Sequence, residues 1–279
     1  MTPAYVGYRL AQWASVRVPV HNALPWAERL ADGWWRWSAR DRAAVQANLS
    51  LLLGEPVSEQ APVVRETFRN FGRYIIEFFA SHQATHPQVR IEGEAHLRQA
   101  AAQQRGVILL SAHLGNWELG ATVLRRMGFD ISIVALAHQD PAMDRLFNRQ
   151  RQRCGVGVIP LGTHATGLSL KRLRAGCLLG VLGDREFGRN GLRLPLAGGE
   201  QVTLPRGPAI LSLRSRSPVV PTFLIREGPW AFRLCLEPPI APTTGDDART
   251  LTRRYLQVIE RYVRRFPSQW LMFRPATSS

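Results

Sequence analysis

Apolar positions along this chain change their period in stages, and each change marks a different kind of element. Up to about residue 53 they recur every three or four positions, interrupted by Pro19 and Pro25, which predicts two or three helices. From Val63 to Phe79 the side chains Val64, Phe68, Phe71, Ile75, Ile76 and Phe79 fall on one helical face, a stripe suited to a core. From about Val89 short apolar runs alternate with amphipathic stretches. The runs Gly106–Ala112, Ile131–Leu136, Val156–Leu161, Cys177–Leu182, Val219–Ile225 and Ala231–Leu236 read as strands. The stretches Trp117–Met127, Pro141–Cys154, Ala165–Arg174, Gly207–Arg214 and Arg249–Phe266 read as helices, and a long Gly-rich loop is expected around Asp184–Pro205. Such alternation predicts an α/β fold with a largely parallel sheet flanked by helices on both faces. An N-terminal helical region over residues 1–86 precedes an α/β domain over 87–279, and 279 residues suffice to bury a full core in that arrangement.

Charge and aromatic placement change the picture of the N-terminal region. The chain carries a formal net charge of +15, and Lys171 is its single lysine, so the positive charge is almost wholly arginine. Guanidinium groups match phosphate and carboxylate bidentately, which points to anionic lipid surfaces, phosphorylated substrates or an acidic carrier. Nucleic acid is not expected as a partner, since the arginines are scattered and no zinc-finger, basic-zipper or RNA-recognition signature accompanies them. Tyr5, Tyr8, Trp13, Trp26, Trp34, Trp35 and Trp37 crowd the first stretch among arginines, a combination expected of helices lying on a membrane. The other reading is a helical layer that packs those rings against the α/β domain, and the two are compatible. Arg9, Arg17, His21, Glu28, Arg29 and Asp32 break any run long enough to span a bilayer, and no secretory leader is expected. Cys154, Cys177 and Cys235 lack metal-ligand spacing and fit a reducing compartment as structural thiols.

The chemistry concentrates in His113-Leu114-Gly115-Asn116-Trp117-Glu118, where the run Gly106–Ala112 gives way to a helix. That places an imidazole at the carboxyl end of a strand, where open α/β sheets set their active sites. A carboxylate five residues on can orient the ring as a general base, so His113 and Glu118 are read as a catalytic pair. Gly115 and Asn116 suit a tight strand-to-helix turn, whose N–H groups would meet a developing oxyanion. No Gly-x-Ser-x-Gly elbow is present, which favours direct attack by a substrate hydroxyl over a covalent enzyme intermediate. Asp184, Arg185 and Glu186 follow the fourth strand of the alternation, hence the same sheet edge. Arg151 lies on the helix after Ile131–Leu136.

These blocks make the chain resemble the lysophospholipid acyltransferase superfamily, in particular its branch of bacterial lipid A biosynthesis (lauroyl or myristoyl) acyltransferases and the related phosphatidylinositol mannoside acyltransferases. The resemblance runs through Arg42–Leu49, Arg65–Gly72, Ser111–Glu118, Asn148 with Arg151, Gly183-Asp184-Arg185-Glu186, Gly207-Pro208-Ala209, Pro218–Pro221 and Pro267-Ser268-Gln269-Trp270-Leu271. The chain departs from the family where a paired aromatic before glycine is common, with Leu194-Pro195-Leu196-Ala197-Gly198 instead. The resemblance implies transfer of a fatty acyl group from an acyl carrier protein or coenzyme A thioester to a hydroxyl of a glycolipid or lipid at the cytoplasmic face of the inner membrane. It implies His113 as base assisted by Glu118, with Gly115, Asn116, Arg151, Asp184, Arg185 and Glu186 on the substrates, and no metal or redox cofactor. A thioesterase that uses water and a membrane-bound scaffold without catalysis are the alternatives.

Overall fold

The computed structural model describes residues 3–82, 86–188 and 190–276. Four helices come first: α1 (Pro3–Arg17), α2 (Val20–Trp37), α3 (Ala39–Leu53) and α4 (Pro62–Ala80). Pro25 does not end α2; it sits on the exposed face, where the carbonyl of His21 that its ring deprives of a donor can meet water. The α/β part follows as β1 (Gln88–Glu92), α5 (Glu94–Ala101), β2 (Val107–Ser111), α6 (Trp117–Arg126), β3 (Ile131–Ala135), α7 (Pro141–Arg153), β4 (Gly157–Pro160), α8 (Ala165–Arg174) and β5 (Leu178–Leu182). Then come β6 (Leu192–Pro195), β7 (Gln201–Leu204), α9 (Gly207–Ser215), β8 (Val219–Gly228), β9 (Ala231–Leu236) and α10 (Ala248–Arg265), with a last 3₁₀ turn at Pro267–Gln269.

Seven strands form one sheet in the order β1-β9-β8-β2-β5-β3-β4, parallel throughout except for the β8–β9 hairpin. The centre of the sheet is β2, flanked by β8 and β5, and its Val107-Ile108-Leu109-Leu110 run is buried on both faces, as a parallel core strand requires. Side chains of α5 and α6 cover one face and those of α8, α9 and α10 the other. The stretch expected to be one Gly-rich loop contains the separate β6–β7 hairpin. Its alternating Leu192, Leu194, Val202 and Leu204 are buried against Leu256 of α10.

The N-terminal helices sort their aromatics between two environments. Tyr8 meets Phe147, and Trp34 packs against Phe68, Phe71 and Phe273. Val6, Leu10, Trp13 and Val16 of α1 and Trp26, Leu30 and Trp37 of α2 face outward instead, with Arg17 over the Trp13 ring and Arg29 over that of Trp26. Among the described residues no helix is long and apolar enough to cross a membrane.

Two carboxylates of α2 tie it to α4: Glu28 accepts from Arg73 at 2.8 Å, and Asp32 holds two arginines. Asp32 accepts both forks of Arg65 and Arg69 at 2.6–2.9 Å, and the Arg69 and then the Arg65 hydrogen bonds hold its carboxyl far below the ordinary carboxylate range. A depressed folded-state pKa stabilises the fold above the unfolded value of about 3.9 and loses that contribution as pH falls. Asp32→Asn should therefore lower the urea midpoint at neutral pH by an amount worth about 1 kcal/mol. The gap from wild type should narrow steadily below about pH 4; equal gaps at neutral and acid pH would remove the charge from this explanation.

Candidate active site

His113 sits two residues beyond the end of β2, on a turn that neighbouring segments grip from both sides. The His113 carbonyl accepts from Leu271 N–H at 2.6 Å, Gly115 N–H donates to Gln269 O at 2.9 Å, and Asn116 N–H donates to Leu224 O at 2.9 Å. Gly115 has φ +66°, and a Cβ there would lie 2.0 Å from the Leu224 carbonyl oxygen, so the turn admits glycine for both reasons. Asn116 caps α6: its Oδ1 accepts from Leu119 N–H at 3.0 Å while its Nδ2 donates to Glu77 at 2.9 Å. Glu77 in turn is buried and paired with Arg226 of β8. Gly115 and Asn116 thus shape the turn, with their N–H groups engaged by carbonyls, and neither lines the cavity described below. This revises the expectation that they would meet substrate.

The imidazole is fixed by a residue other than the one expected. Its Nδ1 lies 2.9 Å from Asp184 Oδ1, while Asp184 Oδ2 accepts from the His113 backbone N–H at 2.8 Å and the Trp270 indole N–H at 2.9 Å. Burial pushes the Asp184 carboxyl upward, yet the facing imidazole and these hydrogen bonds together hold it below its ordinary value. An ionised acceptor on Nδ1 selects the tautomer that leaves Nε2 for a substrate proton. Asp184 reaches this position because β5 pairs with β2 and Gly183 N–H donates to Ser111 O at 2.9 Å.

Glu118 does not touch the ring in this arrangement. As the second residue of α6 it is buried, and it receives the Arg151 guanidinium of α7 through Nε at 3.1 Å and through a terminal nitrogen at 2.5 Å. Arg151 also donates to Asn148 Oδ1 at 2.9 Å. Burial would lower the Arg151 pKa, but the Glu118 charge and hydrogen bonds raise it above the ordinary guanidinium value. The sequence expectation that Glu118 orients the imidazole is corrected: the structure gives that contact to Asp184, and Glu118 ties α6 to α7.

A cavity of about 390 Å³ opens beside His113 over the carboxyl edge of the sheet. Its walls are mostly apolar, with Ser111, Glu118, His138, Arg151, Arg185 and Thr222 among the polar members. Trp117 sets its ring 5.1 Å from that of His113 and stacks on Tyr74 of α4 at 4.5 Å. Burial holds the Tyr74 phenol well above its usual range and lowers His138, where Arg151 adds to the effect. Arg185 lies over the Phe187 ring at 4.6 Å, and burial with the nearby Arg274 lowers its pKa. Glu186 is not among the lining residues and accepts from Gly188 N–H of its own loop at 2.6 Å. Sequence reading missed Tyr74 and Trp270 as site residues. Tyr74 lies within the Val63–Phe79 stretch but outside the stripe of side chains read there as core, and Trp270 belongs to a terminal motif with no chemistry of its own.

The family model described as "Bacterial lipid A biosynthesis acyltransferase" matches residues 5–276. The chain is 27% identical over 280 residues to the phosphatidylinositol mannoside acyltransferase of Mycobacterium tuberculosis H37Rv, covering 95% of this chain and 86% of that protein. It is 26% identical over 246 residues to the lipid A biosynthesis lauroyltransferase of Escherichia coli K12, covering 85% and 78%. To the palmitoleoyltransferase of lipid A biosynthesis in the same bacterium it is 25% identical over 243 residues, covering 83% and 77%.

The Glu118–Arg151 pair yields a stability prediction separate from chemistry. Glu118→Gln leaves a buried guanidinium without its counter-charge and should cost about 3–5 kcal/mol in urea unfolding. Replacing both partners by apolar residues of similar volume, Glu118→Leu with Arg151→Met, should restore most of that loss. A double variant as unstable as the single one would mean that the pair does more than neutralise itself.

Proposed function

This chain belongs to the bacterial lipid A biosynthesis acyltransferase family, and we propose that it moves a fatty acyl group from a thioester, on acyl carrier protein or coenzyme A, to a hydroxyl of a glycolipid or phospholipid. The observation that carries this reading is an imidazole held at Nδ1 by a buried carboxylate and set on an apolar cavity. Such a cavity takes an alkyl chain at roughly 0.8 kcal/mol per buried methylene, and the imidazole marks where the thioester carbonyl and the acceptor hydroxyl meet.

The acceptor oxygen attacks the thioester carbonyl carbon as its proton passes to His113 Nε2. Asp184 stabilises the imidazolium so formed without itself taking the proton. The tetrahedral intermediate collapses with cleavage of the carbon–sulfur bond, and the departing sulfur recovers the proton from Nε2. The products are an ester and a free thiol. Glu118 and Arg151 position α6 and α7 along the cavity wall, and Arg185 at its edge offers a cation to a phosphate of the donor or acceptor. No metal or redox group enters these steps.

The acceptor is a membrane lipid on this reading, and the outward face of α1 and α2 is the docking surface. Its exposed tryptophans and leucines enter the headgroup layer while the neighbouring arginines meet anionic lipid. The protein then sits peripherally at the cytoplasmic face of the inner membrane, where acyl thioesters are at hand.

Incubation of purified protein with an acyl thioester and lipid acceptor, followed by mass spectrometry of the lipids, tests the reaction. His113→Ala and Asp184→Asn should each lower kcat by roughly 10²–10⁴-fold, the usual worth of general-base catalysis and of its orientation. Near-normal turnover in His113→Ala would refute the assignment. Thioester loss without acylated lipid would make the protein a hydrolase, and no consumption in the wild type would leave the scaffold reading. Liposome sedimentation tests the docking surface. Binding to anionic vesicles should weaken with added salt as screening grows and should fall when Trp13 and Trp26 are both changed to serine. Salt-independent binding, equal for neutral vesicles, would contradict it.

A further inference from the structure

The cavity beside His113 extends between the sheet and α6, and its walls carry two glycines, Gly120 and Gly180, whose backbone conformation does not call for glycine. Strand pairing sets Leu109 of β2, Gly180 of β5 and Ile133 of β3 in one row across the sheet, and the middle position has no side chain. A central parallel strand ordinarily carries bulky apolar residues there, and a glycine inside a strand marks close approach by something else. On the helix covering this face, Gly120 sits in the interior of α6, where glycine costs helix stability relative to alanine. Neither has a positive φ. A Cβ at Gly120 would meet only the Leu224 Cβ at 3.5 Å, ordinary contact, and one at Gly180 would meet the Ile133 Cγ2 methyl at 3.0 Å. Backbone conformation and close backbone packing therefore do not call for glycine at either site, yet both border the cavity. Gly120 supplies space, and Gly180 supplies room that the Ile133 methyl partly takes. One helical turn beyond Gly120, Leu124 also lines the cavity, as does Ile131 at the start of β3, so the lobe runs from the His113 edge along β3 to the far end of that strand.

We propose that Gly120 and Gly180 set the depth of this lobe, and with it the length of the straight acyl chain that the protein accepts. The inference rests on the acyl-transfer reading and adds to it the choice among donors. The thioester carbonyl stands at His113, the first methylenes pass between the Gly120 and Gly180 backbones, and the terminal methyl abuts Leu124 and Ile131. A methyl added at either glycine narrows the passage, and removing the Leu124 side chain lengthens the lobe.

Full-length wild type, Gly120→Ala, Gly180→Ala and Leu124→Ala are each given an equimolar mixture of decanoyl, lauroyl, myristoyl and palmitoyl thioesters with lipid acceptor, and the products are resolved by mass. Both glycine variants should shift the preferred donor toward shorter chains, with kcat/KM falling about fourfold for each methylene excluded from the lobe. Leu124→Ala should shift it toward longer ones. Gly120→Ala should melt no lower than wild type, because alanine favours the helix and fits beside Leu224; this keeps the test sound even if Gly180→Ala does not fold. A chain-length profile unchanged in Gly120→Ala and Leu124→Ala, with transfer intact, would overturn the inference and leave the acyl-transfer reading standing. A wild type that transfers none of the four would overturn both.

Discussion

One buried carboxylate organises the site. Asp184 accepts hydrogen bonds from the His113 ring, the His113 backbone and the Trp270 indole, so it joins the ends of β2 and β5 to the last segment of the chain. An ionised carboxylate removed from water is costly unless several donors replace its hydration, and these contacts supply them. The same requirement draws the C-terminal segment back over the sheet edge. There Leu271 N–H donates to the His113 carbonyl and Gln269 to Arg226, while Asn48 of α3 and Asn70 of α4 donate to the carbonyls of Met272 and Ser268. The N-terminal helices thereby hold the segment that holds the His113 turn. Tyr74 and Glu77 of α4 reach the site directly, so its construction draws on residues to either side of position 86.

Local pattern and long-range contact differed in how far they could be read from the residues. The strands were legible because parallel core strands are continuous apolar runs, and β2, β3, β4, β5, β8 and β9 all lie where such runs occur. The turn at Gly115-Asn116 was legible because positive φ and helix capping select those residue types. The β6–β7 hairpin was hidden by its short strands in a stretch rich in glycine and proline. The partner of His113 was hidden for a different reason. Sequence proximity favoured Glu118, but entry into a helix turns the second helical residue toward α7, where Arg151 waits. Asp184 lies 71 residues beyond His113, and only strand order brings it alongside.

Aromatic residues in the first two helices show why the two readings of that region were compatible. A helix packed on a domain has one buried and one free face. In α2 the buried face holds Val20, Ala23, Leu24, Ala27 and Ala31, small enough for close approach to α4, while Trp26, Leu30 and Trp37 occupy the other. A free face of that composition exceeds the scattered exposed apolar residues of an ordinary surface. Arg17 and Arg29 lie over the outward-facing Trp13 and Trp26 rings, an arrangement in which arginine stems cover apolar area while their charged heads stay hydrated.

Charge is compensated pairwise around the cavity, and this determines what the cavity can hold. Glu118 is neutralised by Arg151, Glu77 by Arg226, and Asp184 is satisfied by three donors. In a low-dielectric wall an uncompensated charge would draw water in and hold it there, because stripping an ion costs far more than a methylene gains. With these groups paired, the cavity is a mostly apolar space beside an imidazole, with Arg185 as a further cation on its wall. A ligand suited to that arrangement is amphiphilic: a long alkyl tail inward, the reacting carbonyl at His113, and an anionic or polar head outward. The pairing of buried charges therefore has a role beyond holding helices together: at Glu118 and Arg151 it keeps an uncompensated charge out of the cavity wall.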